Sequence, residues 1–225
     1  MSIYLVNGAK GGVGKSMITM ALLDYLKDRD PALLETDTAN PDVGMAYKQE
    51  VSRFDALDLG GEDAWIDFAN FIAESDGPVV VNSAAGTDAS DSTARLKDAL
   101  QELDRSLTVF WVINTQRDSL ELLKKFWKEM GGQEEEKVRI HVCRNLFFGE
   151  ADDFRLYNDS GIRKEIEAAG GKTLDFPKVA KRVSHSLYVD RFSIVRALEK
   201  MPFGNRIELG RWRNLVHSMF SNAEV

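Results

Sequence analysis

A single cysteine, Cys143, in a chain of 225 residues leaves nothing for it to pair with, so a disulfide framework is excluded. Cys143 follows the run Val138 to Val142 and reads as a small buried residue in a reducing compartment. Long hydrophobic runs are also missing. No stretch approaches the ~20 consecutive apolar residues of a spanning helix, and no leader-type segment precedes the first apolar run, Ile3 to Val6. Both absences lead to the expectation of a cytoplasmic protein. Positive charge is scarce over most of the chain. The net charge is −7, and nine Lys and Arg against four acids after residue 176 leave 20 basic and 32 acidic residues before it. An acidic body argues against a chain that wraps nucleic acid with its whole surface, whereas the basic segment from about Pro177 leaves room for a local patch. With 44% hydrophobic residues, the length suits one α/β domain over 1–225 better than two.

What the sequence does hold is concentrated at Gly8 to Ser16, G-A-K-G-G-V-G-K-S, between the apolar run at Ile3 and the apolar-periodic run Ile18 to Leu26. A strand that turns through glycines straight into a helix aims several backbone N–H groups and the positive helix end at one small volume. Gly11, Gly12 and Gly14 permit the turn, Lys15 adds a cation, and the Ser16 hydroxyl suits Mg²⁺. Ala9 to Met17, with Lys10 and Val13 among them, is therefore the expected cradle for a nucleoside triphosphate.

The K-G-G-x-G-K-S form places Ala9 where the common pattern has Gly and adds a second lysine, Lys10. It resembles the deviant phosphate loop of the ParA/MinD family of partitioning and positioning ATPases. The resemblance implies a P-loop NTPase fold, a three-layer α/β/α sandwich with a mostly parallel central sheet, and ATP with Mg²⁺ as cofactors. It also implies an ATP-dependent homodimer in which Lys10 reaches the partner's nucleotide, a ParB-like or other partner protein, and partitioning or positioning of DNA. The order of elements and the C-terminal tail look closest to short members from plasmids and conjugative elements.

Further along, Ala32-Leu33-Leu34 begins a short strand that ends in Glu35-Thr36-Asp37, where strand ends of a parallel sheet face ligand. Family members carry D-x-D-P here. Glu35 stands at the first acid and Asp37 at the second, as candidates to orient water or hold metal, against a plain turn of solvated carboxylates. Residues 44 to 60 read as a variable connection with a short strand near Val51 to Phe54, and Glu62 to Glu74 as a helix burying Trp65, Ile66, Phe68, Ala69 and Ile72. The run Val79 to Val81 ends in Asn82 where the family has a metal-shell Asp, so Ser16, Asp37 and Asn82 are the candidate metal residues and slow hydrolysis is expected.

Leu107 to Ile113 is a central strand by its continuous apolarity, and Lys137 to Cys143 is the next. Asn145 beyond it is either an adenine contact, as the resemblance implies, or the cap of the following turn. Pro177 resembles the family's base-flanking loop, and the lack of N-K-x-D favours ATP over GTP. Lys178, Lys181, Arg182, Arg191 and Arg196 form either a non-specific DNA surface or a solvated face. The last helix, about Asn205 to Ser221, puts Trp212, Leu215, Val216, Met219 and Phe220 on one face. Docking on its own domain is the favoured reading, over a membrane surface. The motifs leave three functions in view: a DNA-partitioning ATPase, a nucleotide-binding regulator with little hydrolysis, and a metabolic synthetase of the dethiobiotin or cobyrinate amidating type.

Overall fold

The computed structural model describes residues 2–8, 11–84, 90–132 and 137–225. Seven strands form one sheet: β1 (Ser2–Gly8), β2 (Ala32–Glu35), β3 (Arg53–Ala56), β4 (Val79–Asn82), β5 (Ser106–Ile113), β6 (Val138–Asn145) and β7 (Thr173–Phe176). Their order is β3-β2-β4-β1-β5-β6-β7, and every pairing is parallel. Strands buried on both faces need side chains that are apolar at every position, which is why β1 and β5 read as unbroken hydrophobic runs.

Alternation along each strand divides the core. Tyr4 and Val6 of β1, with Phe110 and Val112 of β5, face α1 (Lys15–Leu26), α2 (Asp42–Tyr47) and the C-terminal helices α8 (Lys181–Val189), α9 (Ile194–Lys200) and α10 (Phe203–Asn222). Ile3 and Leu5, with Val109 and Trp111, face α3 (Glu62–Ala73), α4 (Ser90–Glu102), α5 (Arg117–Glu129), α6 (Arg155–Asn158) and α7 (Gly161–Ala168). The result is the three-layer α/β/α sandwich expected, with the β1 and β4 ends side by side at its centre. Cys143 is fully buried, as expected.

Three expectations are corrected. The segment after Asn40 holds a helix, α2, and its strand lies at Arg53–Ala56, a little later than the apolar residues suggested. Ile66 is 59% and Leu215 60% exposed, because the buried stripes run through Phe68, Phe71 and Ile72 in α3 and through Leu209, Trp212, Val216, Met219 and Phe220 in α10. Helical spacing gives a face to within about one position, and the packing partner decides which edge is covered. The expected contacts at Ala9 and Lys10 lie outside the described residues.

α10 lies against its own domain, as favoured from sequence. Trp212 Nε1 donates to the Pro177 carbonyl at 2.8 Å, and Asp24 of α1 meets Arg213 Nε and His217 Nε2, each at 2.6 Å. Asp24 is 1% exposed, so these contacts hold α10 to α1 from a buried position. Among the described residues, no helix is long and apolar enough to cross a membrane.

Candidate nucleotide site

β1 delivers the chain to the C-terminal edge of the sheet, where Gly12 (φ 78°) and Gly14 (φ 105°) turn it into α1. Both angles lie in the left-handed region that residues with a Cβ rarely adopt. At Gly14 space is also limiting, since a Cβ would come within 2.3 Å of Asn145 Nδ2. That same Nδ2 donates to the Val13 carbonyl at 2.7 Å, and Asn145 Oδ1 accepts from Phe147 N at 3.0 Å. Asn145 thus ties the end of β6 to the glycine turn and also caps the turn that follows, which was one of its two readings.

Lys15 opens α1 and is 9% exposed. Burial pushes its ammonium below the ordinary lysine value, and the nearby Asp37 carboxylate pulls it back up. Ser16 and Asp37 are half-buried, and Asp37 Oδ1 accepts from Asn40 N at 3.1 Å, which shapes the turn after β2. A hydroxyl and a carboxylate beside a lysine are the oxygen donors that Mg²⁺ accepts when water and phosphate complete its shell. Among the described residues, no three His, Cys, Asp or Glu side chains gather into a metal cage of their own.

Glu35 and Asn82 close β2 and β4, at the same edge of the sheet as the glycine turn. They are register partners on β2 and β4, and Glu35 is fully buried. Asn82 Nδ2 donates to Glu35 Oε2 at 3.0 Å, and Gly44 N of α2 donates to Oε1 at 3.0 Å. On its other side Asn82 Oδ1 accepts from the Thr19 hydroxyl at 2.9 Å, which also reaches the Lys15 carbonyl at 3.0 Å. A relay therefore runs from α1 through Asn82 and Glu35 to α2, with both carboxylate oxygens turned into the protein. Burial is the main cause that raises Glu35 from 4.5 to about 7. Hydrogen bonds from Asn82 and Gly44 oppose the rise, and Asp37 adds to it.

Sequence reasoning missed Thr19, because a threonine inside an apolar-periodic helix carries no motif. It also missed Asn7, whose Oδ1 accepts from Gly8 N at 2.7 Å and from the Ser83 hydroxyl at 2.8 Å, tying β1 to the segment after β4. Beside the glycine turn opens a cleft of about 480 Å³. Gly12, Gly14, Met17 and Asn145 line it together with Phe147, Phe176, Pro177, Lys178, Lys181 and Tyr188. Glycine turn and cleft are continuous. The basic residues Lys178, Lys181, Arg182, Arg191 and Arg196 are all exposed, with Arg191 3.7 Å from Asp42 and Arg196 over the Phe192 ring.

The arrangement of sheet, turn and first helix is that of P-loop proteins of the MinD and plasmid-partition fold. A Borrelia burgdorferi plasmid partition protein bound to AMPPNP aligns at 13% identity, covering 98% of both chains, with a TM-score of 0.58. MinD from the Aquifex aeolicus MinC:MinD complex aligns at 12% identity, covering 97% of this chain and 96% of that one, with a TM-score of 0.57. A nucleotide-binding protein of Archaeoglobus fulgidus in complex with ADP aligns at 14% identity over 90% and 92% of the two chains, TM-score 0.54. In sequence, Protein MobD of Acidithiobacillus ferrooxidans is 46% identical over 220 residues, 95% of this chain and 93% of its own. The chain belongs to the MobD family. No protein-family model matches it.

Proposed function

We propose that this protein is an ATP-dependent dimerisation switch that partitions or positions DNA, in keeping with a MobD relative and with partition-type folds around it. The observation that carries the reading is the glycine turn with positive φ at Gly12 and Gly14, opening α1 over a buried Lys15 and running into a cleft large enough for a nucleoside. The amides from Gly11 to Ser16 and the Lys15 ammonium hold the phosphates, in the manner of a deviant P-loop. Ser16 and Asp37 hold Mg²⁺, which supplies positive charge to the phosphate oxygens during transfer. Asp37, at the rim of the sheet, is the better placed acid to orient water. Glu35 and Asn82, joined to each other and to Thr19, set the position of α1 against α2. The base enters the cleft between Asn145 and Pro177.

Lys10 of one protomer reaches the nucleotide of its partner, which makes hydrolysis conditional on dimerisation. The exposed cations from Lys178 to Arg196 face DNA, and a ParB-like protein sets the timing. Mobile-element DNA is the cargo that the MobD relation favours. Turnover of ATP measured with and without DNA tests the scheme, and stimulation by DNA is the expected result. A second reading, a nucleotide-binding regulator with little hydrolysis, is favoured by Asn82, whose amide bonds to protein on both sides. Intact ATP binding with no turnover in either condition would establish it instead.

A further inference from the structure

Helix α2 has six residues, too few to hold a helix by local bonds alone. It is fastened at both ends instead, to different parts of the molecule. At its start the chain has just left the turn that carries Asp37, where Asn40 N donates to Asp37 Oδ1 at 3.1 Å and Asp42 N to the Asn40 carbonyl at 2.8 Å. Gly44 N then donates to Glu35 Oε1 at 3.0 Å, and a Cβ at Gly44 would run into the Phe54 ring, so α2 is seated tightly on the β2–β3 edge.

The far end of α2 reaches the C-terminal helices. The buried Tyr47 hydroxyl donates to the Met20 carbonyl of α1 at 3.0 Å and accepts from Ile194 N, at the head of α9, at 3.1 Å. Beyond it, Glu50 Oε1 accepts from the Ser193 hydroxyl at 2.5 Å, and Ser193 Oγ in turn caps α9 by accepting from Arg196 N at 3.1 Å. Two of the exposed cations lie inside this clasp. Arg196 stands in the turn that Ser193 caps, and Arg191 lies 3.7 Å from Asp42, the first residue of α2. An unbroken chain of polar bonds thus runs from the acidic turn after β2, through one short rigid element, to the basic segment. Any shift of that turn that carries α2 with it pulls on α9 and parts Asp42 from Arg191.

We infer that α2 couples the nucleotide site to the basic segment within a single protomer, with Tyr47 as the positioning residue and Asp42 as the group that holds Arg191 back from DNA until nucleotide shifts α2. This rests on the proposed nucleotide and DNA reading, and the experiment lets the two fail separately. Hydrogen exchange in Ile194–Lys200 is followed with and without AMPPNP and Mg²⁺ in the full chain, as wild type, Tyr47→Phe and Asp42→Asn. Calorimetry of AMPPNP, sedimentation, and anisotropy of a labelled DNA duplex accompany it. In the wild type, nucleotide should change exchange in α9 by about threefold or more. Tyr47→Phe keeps the ring and deletes both hydroxyl bonds. It should bind AMPPNP and dimerise as wild type does, while the change in α9 disappears. Asp42→Asn, at an exposed position, probes the coupling without touching the core. It should raise the DNA affinity of the chain without nucleotide by about threefold, the size of one exposed ion pair, and leave the affinity with AMPPNP unchanged. AMPPNP that binds without altering α9 in the wild type, a change in α9 that survives Tyr47→Phe, or DNA affinity that Asp42→Asn leaves alone or raises equally in both states overturns the coupling while the nucleotide site stands. No binding of AMPPNP, or of DNA in either state, overturns the proposed function together with it.

Discussion

Asn82 Nδ2 stands 3.0 Å from Glu35 Oε2, across the β2–β4 pairing, in a place closed to solvent. A neutral amide is the partner a buried carboxyl needs there, since it donates without adding charge. Asn82→Asp sets two carboxyl groups against each other, which must share a proton or repel. The expected cost at pH 8 is about 2 kcal/mol, a fall of roughly 5 °C in Tm. The difference should narrow at pH 5, where one carboxyl is protonated, and thermal melts at the two pH values check it.

Glu35 itself makes stability depend on pH. Its folded value of about 7 lies above the ordinary 4.5, so the folded state binds the proton more tightly than the unfolded chain. The associated stability is fully present below pH 4.5 and is lost as pH rises through 7. The full effect is about 3 kcal/mol by linkage. Glu35→Gln, which keeps the shape and one of the two acceptor oxygens, should flatten the profile of denaturation free energy between pH 5 and 8, and a profile unchanged by the substitution would show that another group is responsible.

Asp24 joins α1 to α10 through Arg213 and His217, and its second oxygen, Oδ1, has no hydrogen-bond partner among the described residues. Arg213→Ala leaves a buried carboxylate poorly compensated and should cost about 3 kcal/mol. The double change Asp24→Asn with Arg213→Met should recover much of that loss. Urea denaturation of wild type and the two variants gives the comparison, and hydrogen exchange in Phe203–Asn222 locates the loosening.

The two lysines of the loop should separate binding from assembly. Lys15→Ala removes the buried cation beside the phosphate site, so nucleotide affinity should drop by at least tenfold. Lys10→Ala should leave the monomer's nucleotide affinity near wild type and abolish ATP-driven dimerisation, as read by sedimentation or light scattering. A dimer that persists in Lys10→Ala removes that residue from the mechanism.

How much of this was legible in the residue order depends on distance along the chain. The glycine turn was readable because Gly12, Gly14 and Lys15 are neighbours whose joint geometry is local. The sheet was readable because strands buried on both faces leave continuous apolar runs at Leu107 to Ile113 and Val79 to Val81. The short helix α2 escaped, since six residues that include Gly44 hold too little periodicity to register. So did the partners of Asn145 and Asn82, which lie 132, 63 and 47 positions away along the chain. A polar side chain declares its type in sequence, but its bonds are made by the fold, and Glu35 pointing inward could be learned only from the packing of β2 against β4.

Trp212 bonds to the Pro177 carbonyl and stands edge-on to Phe176 at 5.7 Å, while both of those residues line the cleft. Its indole is therefore a native optical reporter set into the back of the ligand wall. Occupancy of the pocket becomes readable as emission intensity from an unlabelled chain, with Trp212→Phe as the blank that isolates this signal from the other three tryptophans.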